Sequence, residues 1–270
     1  MGEPEPVVGL LEEVWASIVE VCTDLTPDEW ARPTRCPGWT VQDQVAHLLG
    51  GERMLMGEEA PERDVEGRDH IRNAIGAANE QWVDHYRDHS GGDVLEEFRA
   101  VTAERLDVLA NLSEEQWAEM GFTPEGEGPY RQFMAIRVFD AWMHEQDIRE
   151  AVGRPGHLSG LVVEASVDRL VRAMGYVVGK KAGVPGGSSV VFEITGDAPR
   201  TVPVVVNGRA EVVREIPPDP TVTITLDLPT YAALCGGRDD PGEVLAAGRV
   251  TFDGDDALGE NVVRKLAFMI

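Results

Sequence analysis

Two histidines in this chain, His47 and His144, sit among mostly apolar neighbours, and Asp140 precedes the second by four residues. On a helix, residues four apart share a face with their Cβ atoms about 5–6 Å apart, so Asp140 and His144 can reach one small object together. Asp147 continues the same stripe. A carboxylate placed among Phe133, Ile136, Phe139, Ala141, Trp142 and Met143 costs on the order of several kcal/mol to bury unless a cation or a hydrogen-bond donor faces it. One solution is a divalent ion held by His47, Asp140 and His144. Three protein ligands with a position left open are expected of catalytic rather than structural zinc, and two histidines with one carboxylate also suit Fe2+ or Ni2+. The other solution is a pair of core histidines, each hydrogen-bonded to an acid or a carbonyl. Asp43, one turn before His47, is a candidate acceptor for that imidazole.

Spacing alone does not select these residues. With 48 acids in 270 positions and 6 histidines, about one acid–histidine pair four apart arises by chance, against three in the sequence (Asp43/His47, Glu66/His70, Asp140/His144). Environment separates them. His70, His85 and His89 lie in charged runs and read as solvated residues. His157 falls in a linker.

The elements that must position the three residues follow from periodicity and capping signals. Leu10, Leu11, Val14, Ile18, Val21 and Leu25 recur at helical spacing, so a first amphipathic helix is expected from Val7 to about Leu25. Thr26-Pro27-Asp28-Glu29 restarts the chain as a cap, a helix-opening proline and an acid at the third position. After a rigid loop over Arg32–Gly38, Thr40 caps a helix from Val41 to about Met56 that carries His47. A more polar helical stretch is expected over Val65–His89, then a helix capped by Asp93 that runs to about Leu112. Ser113-Glu114-Glu115-Gln116 reads as a capping box and Thr123–Pro129 as a loop. The helix bearing Asp140 and His144 spans about Tyr130–Val152 and is stopped by Gly153 and Pro155.

Beyond residue 157 the pattern changes. One more helix, leading a second domain, is expected over Leu158–Ala182. Val190–Ile194, Thr201–Val206, Ala210–Ile216 and Val222–Leu226 are β-branched strand candidates, with Asn207-Gly208 as a hairpin turn. Pro229–Cys235 and Asp255–Met269 then read as helices on either side of a last strand, Arg249–Phe252. The fold class is therefore α+β in two domains: a helical bundle over 1–157 and a smaller α+β domain over 158–270 with a leading, bridging helix.

Composition narrows the partners. The formal charge of −24 repels phosphate backbones, which argues against nucleic acid or an anionic membrane. The first residues have neither a basic nor an apolar leader segment, and no apolar run reaches membrane length, so a cytoplasmic protein is expected. Cys22, Cys36 and Cys235 are odd in number and contain no Cys-x-x-Cys, which suggests neither a disulfide frame nor a thiolate zinc site. A monomer or a homodimer fits equally.

The run from Trp30 to Gly51, with Pro33-Thr34-Arg35-Cys36-Pro37-Gly38-Trp39-Thr40-Val41-Gln42-Asp43 and then Val45-Ala46-His47-Leu48, together with Arg137–Arg149, strongly resembles the mycothiol-dependent maleylpyruvate isomerase family. Near the end, Leu228-Pro229-Thr230, Gly237-Arg238 and Ala247-Gly248-Arg249-Val250 look like that family's sterol-carrier-like domain. The resemblance implies a DinB-like four-helix bundle followed by that α+β domain. It also implies a divalent metal, usually zinc, on His47, Asp140 and His144, although the isomerase pattern resembles Glu-x-x-x-His where this chain has Asp140.

Mycothiol, a cysteinyl sugar thiol, is then implied as cosubstrate, held at the open metal position as a thiolate that adds to a small electrophile. An arginine of the second domain, Arg238 first and Arg249 next, is a candidate for gripping a substrate carboxylate in fork geometry, or else pairs with a surface acid. Three functions stand: a thiol transferase or isomerase using mycothiol, a metal-dependent hydrolase or tailoring enzyme of the same fold working without a thiol, and a non-catalytic ligand-binding protein.

Overall fold

In a computed structural model that describes residues 5–269, the chain divides into two compact units, the first ending at Gly156 and the second starting at His157. The first unit is helical. Helix α1 (Pro6–Cys22) opens on a proline and buries Leu11, Val14, Trp15, Ile18 and Val21 on one stripe, as the periodicity predicts. The turn α2 (Pro27–Trp30) carries the expected capping box of Thr26 and Glu29. Helix α3 (Val41–Leu55) is capped in the same way by Thr40 and Asp43, and it buries an almost unbroken run from Asp43 to Glu52. A helix buried on every side belongs in the middle of a bundle.

The stretch expected to be helical over Val65–His89 is helical only in α4 (Ala74–Tyr86). Gly57 and Gly67 adopt positive φ, and residues 57–73 run as turns and extended chain. The apolar stripe there is too thin for a helical turn to bury. Helix α5 (Gly91–Ala110) is capped by the Ser90 side chain, not by Asp93, which lies in its first turn. The capping box of Ser113 and Gln116 starts the turn α6 (Glu114–Trp117). The expected loop that follows is a hairpin of β1 (Met120–Thr123) and β2 (Gly126–Pro129), paired antiparallel.

Helix α7 (Tyr130–Val152) has the bounds the sequence predicts and ends on Gly153 in the left-handed region. It packs against α1 and α3, and α3 packs in turn against α4 and α5. The close approach of α3 to α4 depends on Gly50, where a Cβ would run into the Cβ of Trp82.

The second unit begins with α8 (Leu161–Arg172), which buries Val162, Val163, Val167 and Leu170. The single helix expected over Leu158–Ala182 instead passes through a short α9 (Met174–Tyr176) into a π-helical turn, Val177–Lys181. Among the described residues this unit holds a five-stranded sheet in the order β5-β4-β3-β6-β7. Its strands are β3 (Ser189–Thr195), β4 (Arg200–Asn207), β5 (Arg209–Val212), β6 (Val222–Asp227) and β7 (Val250–Gly254).

The β4–β5 hairpin turns at Gly208 (φ 79°), where Asn207-Gly208 predicts it. Strands β3 and β6 run parallel, from Val190 opposite Val222 to Thr195 opposite Asp227, and the other pairs are antiparallel. Helix α10 (Leu228–Cys235) packs on β3 and β6, and α12 (Asp256–Val263) packs on β6 and β7. A further short helix, α11 (Pro241–Ala246), fills a segment that the periodicity leaves unassigned. The last helix stops at Val263, short of the expected Met269.

Candidate metal centre

Helices α3 and α7 bring His47, Asp140 and His144 together. One ligand atom from each lies within 4.8 Å of the other two. The Nε2 of His47 is 3.3 Å from Asp140 Oδ2, and the Nε2 of His144 is 3.4 Å from Asp140 Oδ1. Both imidazoles therefore present the same nitrogen to one carboxylate, with ring centroids 4.6 Å apart. The histidine side chains are 7% and 8% exposed and Asp140 is 29% exposed, so the cluster opens to solvent on the carboxylate side. This donor set fits a divalent ion such as zinc: two imidazole nitrogens and one carboxylate, convergent, with one side accessible.

The electrostatics differ between the imidazoles. Burial pushes His47 down to about 4 against the opposing pull of Asp140. Burial also disfavours the charged form of His144, but the Asp140 carboxylate outweighs it and pushes this group up to about 9. Burial works against the charge on Asp140 too, yet His144 and Arg137 hold its carboxyl well below the ordinary range.

Asp43 is not the acceptor for His47. Its carboxylate takes the backbone N–H of Thr40 (2.8 Å) and the guanidinium of Arg87 (3.0 and 3.3 Å), so the helix cap consumes it. The Nδ1 of His47 is buried and has no partner among the described residues.

The walls of the site come from residues outside the sequence expectation. Trp39 lies against both imidazoles, 5.0 and 5.9 Å between ring centroids, and its indole N–H donates to the fully buried Glu80 at 2.8 Å. His70, expected to be solvated, is joined to that same carboxylate at 2.8 Å, Arg87 donates to it at 2.8 Å, and Arg68 donates to it as well. Glu80 thus ties the irregular segment before α4 to the wall of the site.

On the other side, Arg137 donates to Asp140 Oδ2 (2.6 Å) and to Glu52 Oε1 (3.0 Å). Glu52 accepts from Arg105 (3.0 Å), whose guanidinium also reaches the Tyr130 hydroxyl (2.9 Å). Glu52 and Arg105 are buried in α3 and α5. In the sequence, Glu52 and Arg105 look like two more members of a charged population, and only packing distinguishes them.

Cys36, set aside at the sequence level, donates to Asp147 Oδ2 at 3.3 Å and forms a second group of possible ligands with His144 and Asp147. Arg238 and Arg249, the expected carboxylate-binding residues, belong to the second unit. Arg238 donates to the Gly236 carbonyl at 2.8 Å. Arg249 holds Asp239 at 2.8 Å and the Thr230 hydroxyl at 2.9 Å.

A helical unit with two histidines and an aspartate on two adjacent helices, followed by an α+β unit, is a bundle-borne candidate metalloprotein. Residues 11–149 match the family described as mycothiol maleylpyruvate isomerase N-terminal domain, and the chain belongs to that family. An uncharacterized protein of Mycobacterium tuberculosis (strain ATCC 25618 / H37Rv) is 27% identical over 162 residues, and the same holds for one from strain CDC 1551 / Oshkosh. These matches take in 57% of this chain and 59% of the relatives, so the chain spans about three-fifths of their length.

The crystal structure of the mycothiol-dependent maleylpyruvate isomerase superposes with a TM-score of 0.56 at 16% identity, over 92% of this chain and 91% of that one. A mutant of that enzyme gives 0.57 at 15% identity with the same coverage. At that identity the shared property is the fold. Among the described residues, no helix is long and apolar enough to cross a membrane.

Proposed function

We propose that this chain is a divalent-metal-dependent enzyme that uses mycothiol as a thiol cosubstrate in an isomerisation or S-transfer on a small electrophile. The observation that carries the proposal is the convergence of His47, Asp140 and His144 on one point at a partly open position. Membership of a family described by mycothiol and maleylpyruvate isomerase supports the choice of thiol and reaction class. A divalent ion held there supplies the positive charge that lowers a thiol's pKa and keeps it as thiolate at neutral pH.

The remaining roles fall to the chain's own residues. Trp39 closes one face of the imidazole pair against water. Arg137 holds Asp140 from behind and keeps its charge. Arg238 and Arg249 are the proposed grips for a substrate carboxylate. For Arg249 this requires exchanging Asp239, which it holds through one terminal nitrogen, for the substrate carboxylate.

The test is metal analysis of the full chain followed by titration of a cobalt-substituted form with mycothiol. A shift in the cobalt spectrum on adding the thiol is expected. A metal-loaded protein whose spectrum ignores the thiol would remove mycothiol and leave a metal-dependent hydrolase or tailoring enzyme.

A further inference from the structure

Resting on the metal reading above, we infer that Gln44 is a positioning residue that fixes the proton of His144 on Nδ1 and so leaves Nε2 as its ligating nitrogen. The inference follows from the polarity of a hydrogen-bond chain that begins in the loop before α3. The Thr34 hydroxyl donates to the Trp39 carbonyl at 2.9 Å. A hydroxyl has one proton, so its oxygen can then only accept. It does so from the backbone N–H of Cys36 (3.3 Å) and from the amide nitrogen of Gln44 (2.6 Å). That contact orients the Gln44 carboxamide, whose oxygen is left facing His144 Nδ1 at 2.5 Å.

An amide oxygen only accepts, so Nδ1 must carry the proton. The Asp147 carboxylate, its Oδ2 3.8 Å from Nδ1, is beyond hydrogen-bond range but its negative charge favours a proton on that side. Gln44 is fully buried, so no water competes for these bonds. The two ligating histidines are therefore prepared differently. His144 has its tautomer set from behind, whereas the corresponding nitrogen of His47 is buried without a partner among the described residues. Gln44 lies three residues before His47, so one helix supplies both a ligand and the residue that orients the ligand on the other helix.

The test uses the full chain with Gln44→Leu and Gln44→Glu, and zinc alone as the probe. Outer-shell partners of a ligating histidine change metal affinity by about 10–100-fold. Gln44→Leu has no acceptor and is expected to weaken zinc by that factor in a chelator competition, while Gln44→Glu keeps the acceptor and stays close to the native value. In proton NMR, the native chain is expected to show an exchange-protected imidazole Nδ1–H with contacts to Gln44, lost in Gln44→Leu.

Native zinc affinity in a folded Gln44→Leu overturns the assignment. So does a Gln44→Glu as weak as Gln44→Leu, with both melting cooperatively. A native chain that takes up no zinc would sink the metal reading instead, and the Nδ1–H resonance of that metal-free protein, read above pH 9 where His144 is neutral, would still decide whether Gln44 sets the tautomer.

Discussion

A histidine binds a metal through a nitrogen that carries no proton, so the metal chemistry proposed for this site depends as much on what stands behind each ring as on the rings themselves. His47 and His144 are both legible in the sequence, because each sits among mostly apolar neighbours. Their supporters are not. Gln44, Glu52 and Arg105 are ordinary polar residues until packing places them, and Asp43, which the spacing offers as a partner for His47, is taken by the helix cap and Arg87.

His47→Ala and His144→Ala should each abolish stoichiometric zinc binding in a filtration assay while the chain keeps its helical circular dichroism. Glu52→Ala would leave the guanidiniums of Arg105 and Arg137 buried without their shared carboxylate. Breaking a buried pair in this way costs about 3–5 kcal/mol, so urea unfolding should show a loss of that size, and a change below 1 kcal/mol would contradict it.

The elements divide into those whose signal is local and those whose signal is not. Helix α7 is read with its bounds, because a stretch without Gly or Pro ends on Gly153, which has a left-handed φ of 70°. The capping boxes at Thr26, Thr40 and Ser113 are equally readable, since a cap is a contact between residues three apart. The segment before α4 is misread as helix because its order comes from Arg68 and His70 reaching Glu80, contacts that no local pattern announces. The hairpin of β1 and β2 is missed because four-residue strands that hold Gly121, Gly126, Gly128 and Pro129 carry little strand signal. The break of the expected Leu158–Ala182 helix into a π-helical turn has no proline to mark it.

A prediction follows for the α3–α4 packing. A methyl at Gly50 has no room beside Trp82, and overpacking of this kind costs about 1–3 kcal/mol. Gly50→Ala should therefore lower the unfolding midpoint despite its better helix propensity. An unchanged or raised midpoint would show that α4 can move away freely.

At the scale of the whole molecule, the two-domain α+β organisation is legible because hydrophobic periodicity changes from helical to alternating after the glycine-rich stretch at Gly183–Gly187. The composition offers a convenient probe: Trp15, Trp30, Trp39, Trp82, Trp117 and Trp142 all fall in the first unit. Tryptophan fluorescence therefore reports the unit that carries the candidate metal centre. A ligand that binds only the folded state stabilises it by about 2.7 kcal/mol at one hundred times its dissociation constant. Zinc at that excess should raise the fluorescence-detected unfolding free energy by this amount in the native chain and not in His144→Ala.

The most direct test of the central claim is elemental analysis of the purified chain after zinc loading and gel filtration, beside His47→Ala and His144→Ala. About one divalent ion per native chain is expected, as a single three-ligand site requires, and none retained by either variant. A native chain that emerges empty, with the variants as stable as the parent, would mean that the two imidazoles and Asp140 are a hydrogen-bonded core cluster and not a metal site.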